Sequence, residues 1–133
     1  MSRTEIYLHV VFAVKNRDPI LTAPKRLLLI QHIREQGFLN RIYLKAINGV
    51  EDHIHLLLRL HACQTIAGVV QQIKGESARW ANQVQLFEKH LTWAIGYYAR
   101  SVDPENLEVV TRYIYYQPLK HGPSALWFSD AGE

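Results

Sequence analysis

The chain has 133 residues, 48% of them hydrophobic and 20% charged, which is enough for one ordinary core and too few for two comfortable domains, so residues 1–133 are read as a single domain. An aromatic share of 11% with both charge signs interspersed excludes a disordered segment, and a formal charge of +3 suits a polyanionic partner without the excess that histone-like packing needs. Cys63 is the lone cysteine, no apolar run reaches membrane-spanning length, and the N-terminus lacks the apolar stretch of a secretory signal; a cytoplasmic protein with no membrane partner is the expectation.

The run Glu5 to Val14 is rich in aromatic and β-branched residues and is followed by the turn signal Asn16 to Pro19, so it reads as a first strand. Thr22 offers an N-cap oxygen to a first helix with Pro24 in its first turn, apolar positions at Leu27, Ile30 and Ile33, and Gly37 as its stop. Arg41 to Ile47 reads as a second strand, Asn48-Gly49 as a hairpin signal, and Asp52 to Leu60 as the antiparallel neighbour. From Thr65 to Val84 the residues Ile66, Val69, Val70, Ile73, Trp80, Ala81 and Val84 recur at helical spacing. Leu91 to Ala99 reads as a fourth strand. Asp103-Pro104 then opens a third helix that ends near Gln117, because Pro118 disfavours helical geometry in the residue before it. The order β-α-β-β-α-β-α is that of an α+β fold, the ferredoxin-like (RRM-like) antiparallel sheet with a further C-terminal helix.

Side chains alternate along Asp52 to Leu60, so Ile54, Leu56, Leu58 and Leu60 face the two packing helices while His53, His55, Leu57 and Arg59 face away. Both imidazoles are then about 6 to 7 Å apart at their Cα atoms, close enough to converge on one ion. Chance supplies about 0.4 such triplets in a chain with this many histidines, so the triplet alone leaves a metal site and a buried structural pair both open. Two histidines in a leucine-rich strand are nevertheless costly to bury without partners. His9, on the first strand, reads first as a satisfied structural histidine, with a place beside the site as the alternative.

On the last helix Tyr113 and Gln117 are four residues apart and share a face, while Leu107, Val110 and Ile114 form the stripe that is buried. If that face covers the histidines, Gln117 supplies an oxygen ligand and Tyr113 a nucleophile beside the ion. Tyr115 and Tyr116 read as amphipathic packing.

The segments YLHVVFAVKNRDPIL, GVEDHIHLLL, IKGESAR, WAIGYYARSV and RYIYYQPLKH together resemble the single-tyrosine HUH transposases of the insertion-sequence 200/605 type and their REP-associated relatives. The resemblance implies a divalent metal, Mg²⁺ or Mn²⁺, on His53, His55 and Gln117, with Tyr113 as nucleophile, His121 as a closing histidine and no nucleotide cofactor. Tyr116 and Lys120 depart from the family pattern, where asparagine and histidine are usual. It further implies cleavage and rejoining of single-stranded DNA through a 5′-phosphotyrosine, recognition of hairpins at element ends, and a homodimer whose tyrosine helices can serve the partner's histidines, inside a bacterial or archaeal cell. Periodicity by itself gives no sign of dimerisation. Lys15, Arg17, Lys74, Arg79, Arg100 and Arg112 are the basic candidates for DNA contact, each against the alternative of a solvated surface, with Lys74 in the IKG stretch the first to test.

Two rivals stand beside this. A histidine-triad nucleotide hydrolase needs a further alternate histidine where Leu57 stands, and so loses its nucleophile. A non-catalytic nucleic-acid-binding module of the same fold, including a transposase relative without activity, would use its Tyr and His rings to stack on bases.

Overall fold

The structure is a computed structural model describing residues 2–116; Gln117, Lys120 and His121 lie outside the described residues. Strands β1 (Ile6–Ala13), β2 (Tyr43–Gly49), β3 (His53–Leu60) and β4 (Tyr98–Val102) form one antiparallel sheet in the order β2-β3-β1-β4. Helices α1 (Lys25–Leu39), α2 (Ile66–Gln83) and α3 (Leu107–Tyr115) complete the expected β-α-β-β-α-β-α order of the ferredoxin-like α+β fold.

Alternation along β3 decides which layer covers which face. Ile54, Leu56, Leu58 and Leu60 enter the main core with Val10 and Phe12 of β1, Leu29, Ile30 and Ile33 of α1, and Val69, Val70 and Ile73 of α2. Each such side chain taken fully from water contributes about 1.5 to 3 kcal/mol. Leu57 points the other way and meets Ala46, Val102 and Ile114, with Leu107, Val110 and Tyr113 packed against them. Helices α1 and α2 therefore cover one face of the sheet and α3 the other, which is the face that carries His53 and His55.

Several boundaries differ from the sequence-based expectation. Thr22 does not cap α1; Pro24 occupies that position, and Thr22 instead accepts the Arg26 N–H on its carbonyl at 2.8 Å. The residue before a proline is kept from helical geometry, which delays the start. Nor is Gly37 the stop. The helix runs on to Leu39, and Arg41 takes the left-handed conformation (φ 60°) while Ile42 N–H returns to the Gly37 carbonyl at 2.8 Å, a Schellman closure without glycine. Gly37 is needed for close approach, since a Cβ there would lie 3.1 Å from the Ile42 carbonyl oxygen. Leu29 takes the buried position expected of Leu27, which is 60% exposed.

Because Arg41 and Ile42 close the helix, β2 starts at Tyr43, two residues later than expected; Asn48 and Gly49 lie within it and the turn falls at residues 50–52. Thr65 does cap α2, its Oγ1 accepting from Gly68 N–H at 3.0 Å, but Val84 lies at the far end and is exposed. The fourth strand begins at Tyr98 rather than Leu91. The preceding segment is held irregular by Trp93, packed edge-on against Phe12 with its Nε1–H donating to Ser77, and by Gly96 at φ 89°.

Candidate active site

The site forms where β1 and β3 lie under α3. Period two puts both His53 and His55 on the α3 face, and both are fully buried. Register then adds a third ring. Val11 pairs with His55 and Leu57 with His9, so the odd-numbered positions of β1 share this face. His9 is 2% exposed and its Nε2 lies 2.8 Å from Nδ1 of His55. It is satisfied, as expected of a structural histidine, and its partner belongs to the histidine pair, so it also neighbours the site. The strand register, absent from local pattern, is what decides between the two readings of His9.

The Nδ1 atoms of both paired histidines are engaged. Asp52 accepts from His53 Nδ1–H through Oδ1 at 2.6 Å and from Arg17 Nε–H through Oδ2 at 3.1 Å. Burial alone would raise the Asp52 carboxyl; its hydrogen bond to His53 and the charges of His53 and Arg17 outweigh that and hold it below the usual carboxylate range. Asp52 was not singled out among the site residues, although it directly precedes the histidine triplet.

Burial, reinforced by His9 and His53, pushes His55 down to about 2; burial, reinforced by the charge of Arg100, pushes His9 down to about 4. Both rings are neutral near pH 7, the state in which an imidazole has a lone pair for a metal. The rings of His53 and His55 have centroids 5.1 Å apart at an interplanar angle of 62°. Two imidazoles bound through Nε2 to one ion, with metal–nitrogen bonds of about 2.1 Å, have centroids about 5 Å apart, so the pair fits a divalent metal. Among the described residues no group of three or more His, Cys, Asp or Glu side chains is arranged for an ion, and the expected third ligand, Gln117, lies outside them.

Helix α3 is docked over these rings by its apolar stripe and by its C-terminal carbonyls. Asn48 Nδ2 donates to the carbonyls of Ile114 and Tyr115, both at 3.2 Å, and Arg34 donates to the Tyr115 hydroxyl at 2.6 Å. Tyr115 and Tyr116 are otherwise exposed rather than packed. Tyr113 is thereby turned toward the histidines, its ring 5.9 Å from that of His55 and 6.1 Å from that of His9, edge-on to both.

Of the basic candidates, Arg100 pairs directly with His9 across β1 and β4 and lines, with His9, Asp103, Asn106, Val109 and Val110, a cleft of about 420 Å³ beside the site. Arg112 is exposed on α3. Lys74 is not brought there. Its Nζ donates to the carbonyls of Ala94 and Gly96 at 2.7 and 2.9 Å and sits 5.9 Å from the ring centroid of Phe12, on the opposite face of the sheet. His121 lies outside the described residues.

Among solved structures, a candidate transposase from Deinococcus radiodurans R1 is similar with a TM-score of 0.70 and 23% identity, over 87% of this chain and 93% of that one. A REP-associated tyrosine transposase bound to a REP hairpin is similar with a TM-score of 0.66 and 17% identity, over 92% of this chain and 73% of that one. At these identities the likeness speaks for the fold. No curated protein matches the chain. No described helix is long and apolar enough to cross a membrane. The family described as IS200-like transposase matches residues 2–117, nearly the whole chain, and the protein belongs to that family.

Proposed function

We propose that this transposase acts on single-stranded DNA, cutting and rejoining it through a covalent link to Tyr113. The observation that carries the reading is the meeting of Tyr113 with His55, rings 5.9 Å apart, on a buried face that also holds His53. In the forward step the phenolic oxygen attacks phosphorus, the bond from phosphorus to the 3′ oxygen breaks, and the 5′ phosphate stays on the tyrosine. The phenolic proton is lost and the leaving 3′ oxygen gains one, so a free 3′-OH results. Attack by a 3′-OH on the phosphotyrosine reverses the step, so one phosphoester is exchanged for another and no nucleotide cofactor is consumed.

A phenol with an ordinary pKa of about 10 needs help to attack at neutral pH. Mg²⁺ or Mn²⁺ held by His53 and His55, with Gln117 as third ligand, supplies Lewis-acid polarisation of the scissile phosphate when bound. The chain's own part is to exclude water from the imidazoles, to keep His55 neutral and to aim Tyr113. Arg100, exposed beside the cleft, Arg112 and His121 are proposed DNA contacts. Hairpin recognition draws support from the solved relative bound to a REP hairpin. A homodimer sharing its sites is proposed on the family resemblance; within one chain Tyr113 already stands beside its own histidines.

Incubating the chain with hairpin-bearing single-stranded DNA and Mg²⁺ or Mn²⁺ should give a covalent adduct on a denaturing gel, absent with EDTA, in Tyr113→Phe and in His55→Ala. An adduct that survives Tyr113→Phe removes the nucleophile assignment. Hairpin binding without any cleavage under these conditions would instead establish a binding-only module.

A further inference from the structure

We infer that His9 is a positioning residue for the metal pair: it accepts a hydrogen bond from Nδ1–H of His55 and so holds that ring in the tautomer whose Nε2 lone pair is available to a cation. The inference rests on the proposed role of His53 and His55. It starts from one distance, the 2.8 Å between His9 Nε2 and His55 Nδ1.

Two ring nitrogens at that distance share one proton, so one donates and the other accepts. If His55 Nδ1 donates, the neutral His55 ring has its lone pair on Nε2, and His9 carries its own proton on Nδ1. If His9 Nε2 donates, His55 accepts at Nδ1 and its single proton sits on Nε2, which closes that nitrogen to a metal. While the hydrogen bond to His9 is kept, Nδ1 of His55 is engaged and ligation must go through Nε2. Only the first arrangement makes His55 a ligand.

The companion ring meets the same requirement differently. His53 faces a carboxylate, which when ionised can only accept, so Asp52 at 2.6 Å sets the Nδ1–H tautomer without ambiguity. Asp52 sits at the sheet margin, where it also meets Arg17. His55 is enclosed between β1 and α3, deeper than Asp52, where an ionised carboxylate is costlier to bury; a neutral imidazole acceptor lowers that cost. His9 reaches the position because β1 and β3 pair with His9 opposite Leu57, one diagonal step from His55.

The test uses the full chain and two substitutions. His9→Leu keeps the bulk and removes the acceptor, whereas His9→Gln keeps an oxygen that can accept. Mn²⁺ affinity by calorimetry should fall about 10- to 100-fold in His9→Leu and stay within a few-fold of native in His9→Gln. Thermal melts followed by circular dichroism confirm that each variant is folded. Long-range proton–nitrogen correlation spectra of the native chain should show the His55 proton on Nδ1, a readout that a role in packing alone would not require and that does not depend on the variants folding. A proton on Nε2 of His55 in the Mg²⁺-loaded chain overturns the inference. So does a folded His9→Leu chain that binds Mn²⁺ like the native one while His53→Ala loses it; that outcome leaves the metal reading intact. A native chain that binds no Mn²⁺ overturns the metal reading and this inference with it.

Discussion

A Cβ on Gly49 would stand 2.6 Å from the carbonyl oxygen of His53, and 2.6 Å from Cδ1 of Ile54. The end of β2 is thus pressed against the first residue of the histidine pair, with Val50 N–H donating to the same carbonyl at 3.0 Å. Backbone cannot swing aside as a side chain can, so Gly49→Ala must part β2 from β3 at this point. We expect a loss of about 2 kcal/mol in urea unfolding, together with weaker Mn²⁺ binding as His53 is displaced. Native stability in this variant would show that the hairpin relaxes at no cost.

Tyr113→Phe keeps the ring and its edge-on contacts with His55 and His9 and removes only the hydroxyl. Stability should change by no more than about 1.5 kcal/mol, while single-turnover cleavage falls at least ~10³-fold. Tyr115→Phe is the control. It removes the acceptor for Arg34 at an exposed position and should leave cleavage within a few-fold of native.

The metal-free fold should weaken in acid. His9 and His55 titrate at about 4 and about 2 when folded, both below the 6.5 of an unperturbed imidazole. Between those values and 6.5 the unfolded chain binds protons that the fold refuses, so stability is complete above the unfolded pKa and is lost as pH falls toward the folded one. Asp52, held low, acts in the same sense further down. The contribution of His9 alone is on the order of 3 kcal/mol. Urea midpoints measured from about pH 8 to about pH 4 should decline below about pH 6.5; a flat profile would contradict the burial of neutral imidazoles.

Lys74→Met should behave as a stability variant and not as a DNA-binding one. The change strips the Ala94 and Gly96 carbonyls of their ammonium donor and frees the segment ahead of β4. A loss of about 1 to 3 kcal/mol is expected, with the salt dependence of hairpin binding unchanged. A shallower salt slope at native stability would return Lys74 to the phosphate contacts.

Periodicity is a property of ten or so consecutive residues, and what depends on it could be read directly. The alternation from His53 to Leu60 determined that both imidazoles leave the main core together, because placing either inside would turn four leucine and isoleucine side chains out to water. The spacing of Leu107, Val110 and Ile114 likewise determined the buried stripe of α3, and with it the direction of Tyr113. Where chain-local signals compete with packing, local reading failed: Leu27 and Leu29 are both apolar, and only docking of α1 chose Leu29; Trp93 and Gly96 look like strand residues until the core claims the indole. What tertiary structure alone decided is the company these residues keep. That α3 closes over the histidine face, that Lys74 spends its donors on a loop, and that His9 meets a ring 46 residues away are outcomes of strand register and helix docking. Those are set by the sum of many weak contacts between distant segments, and no window along the chain contains that sum.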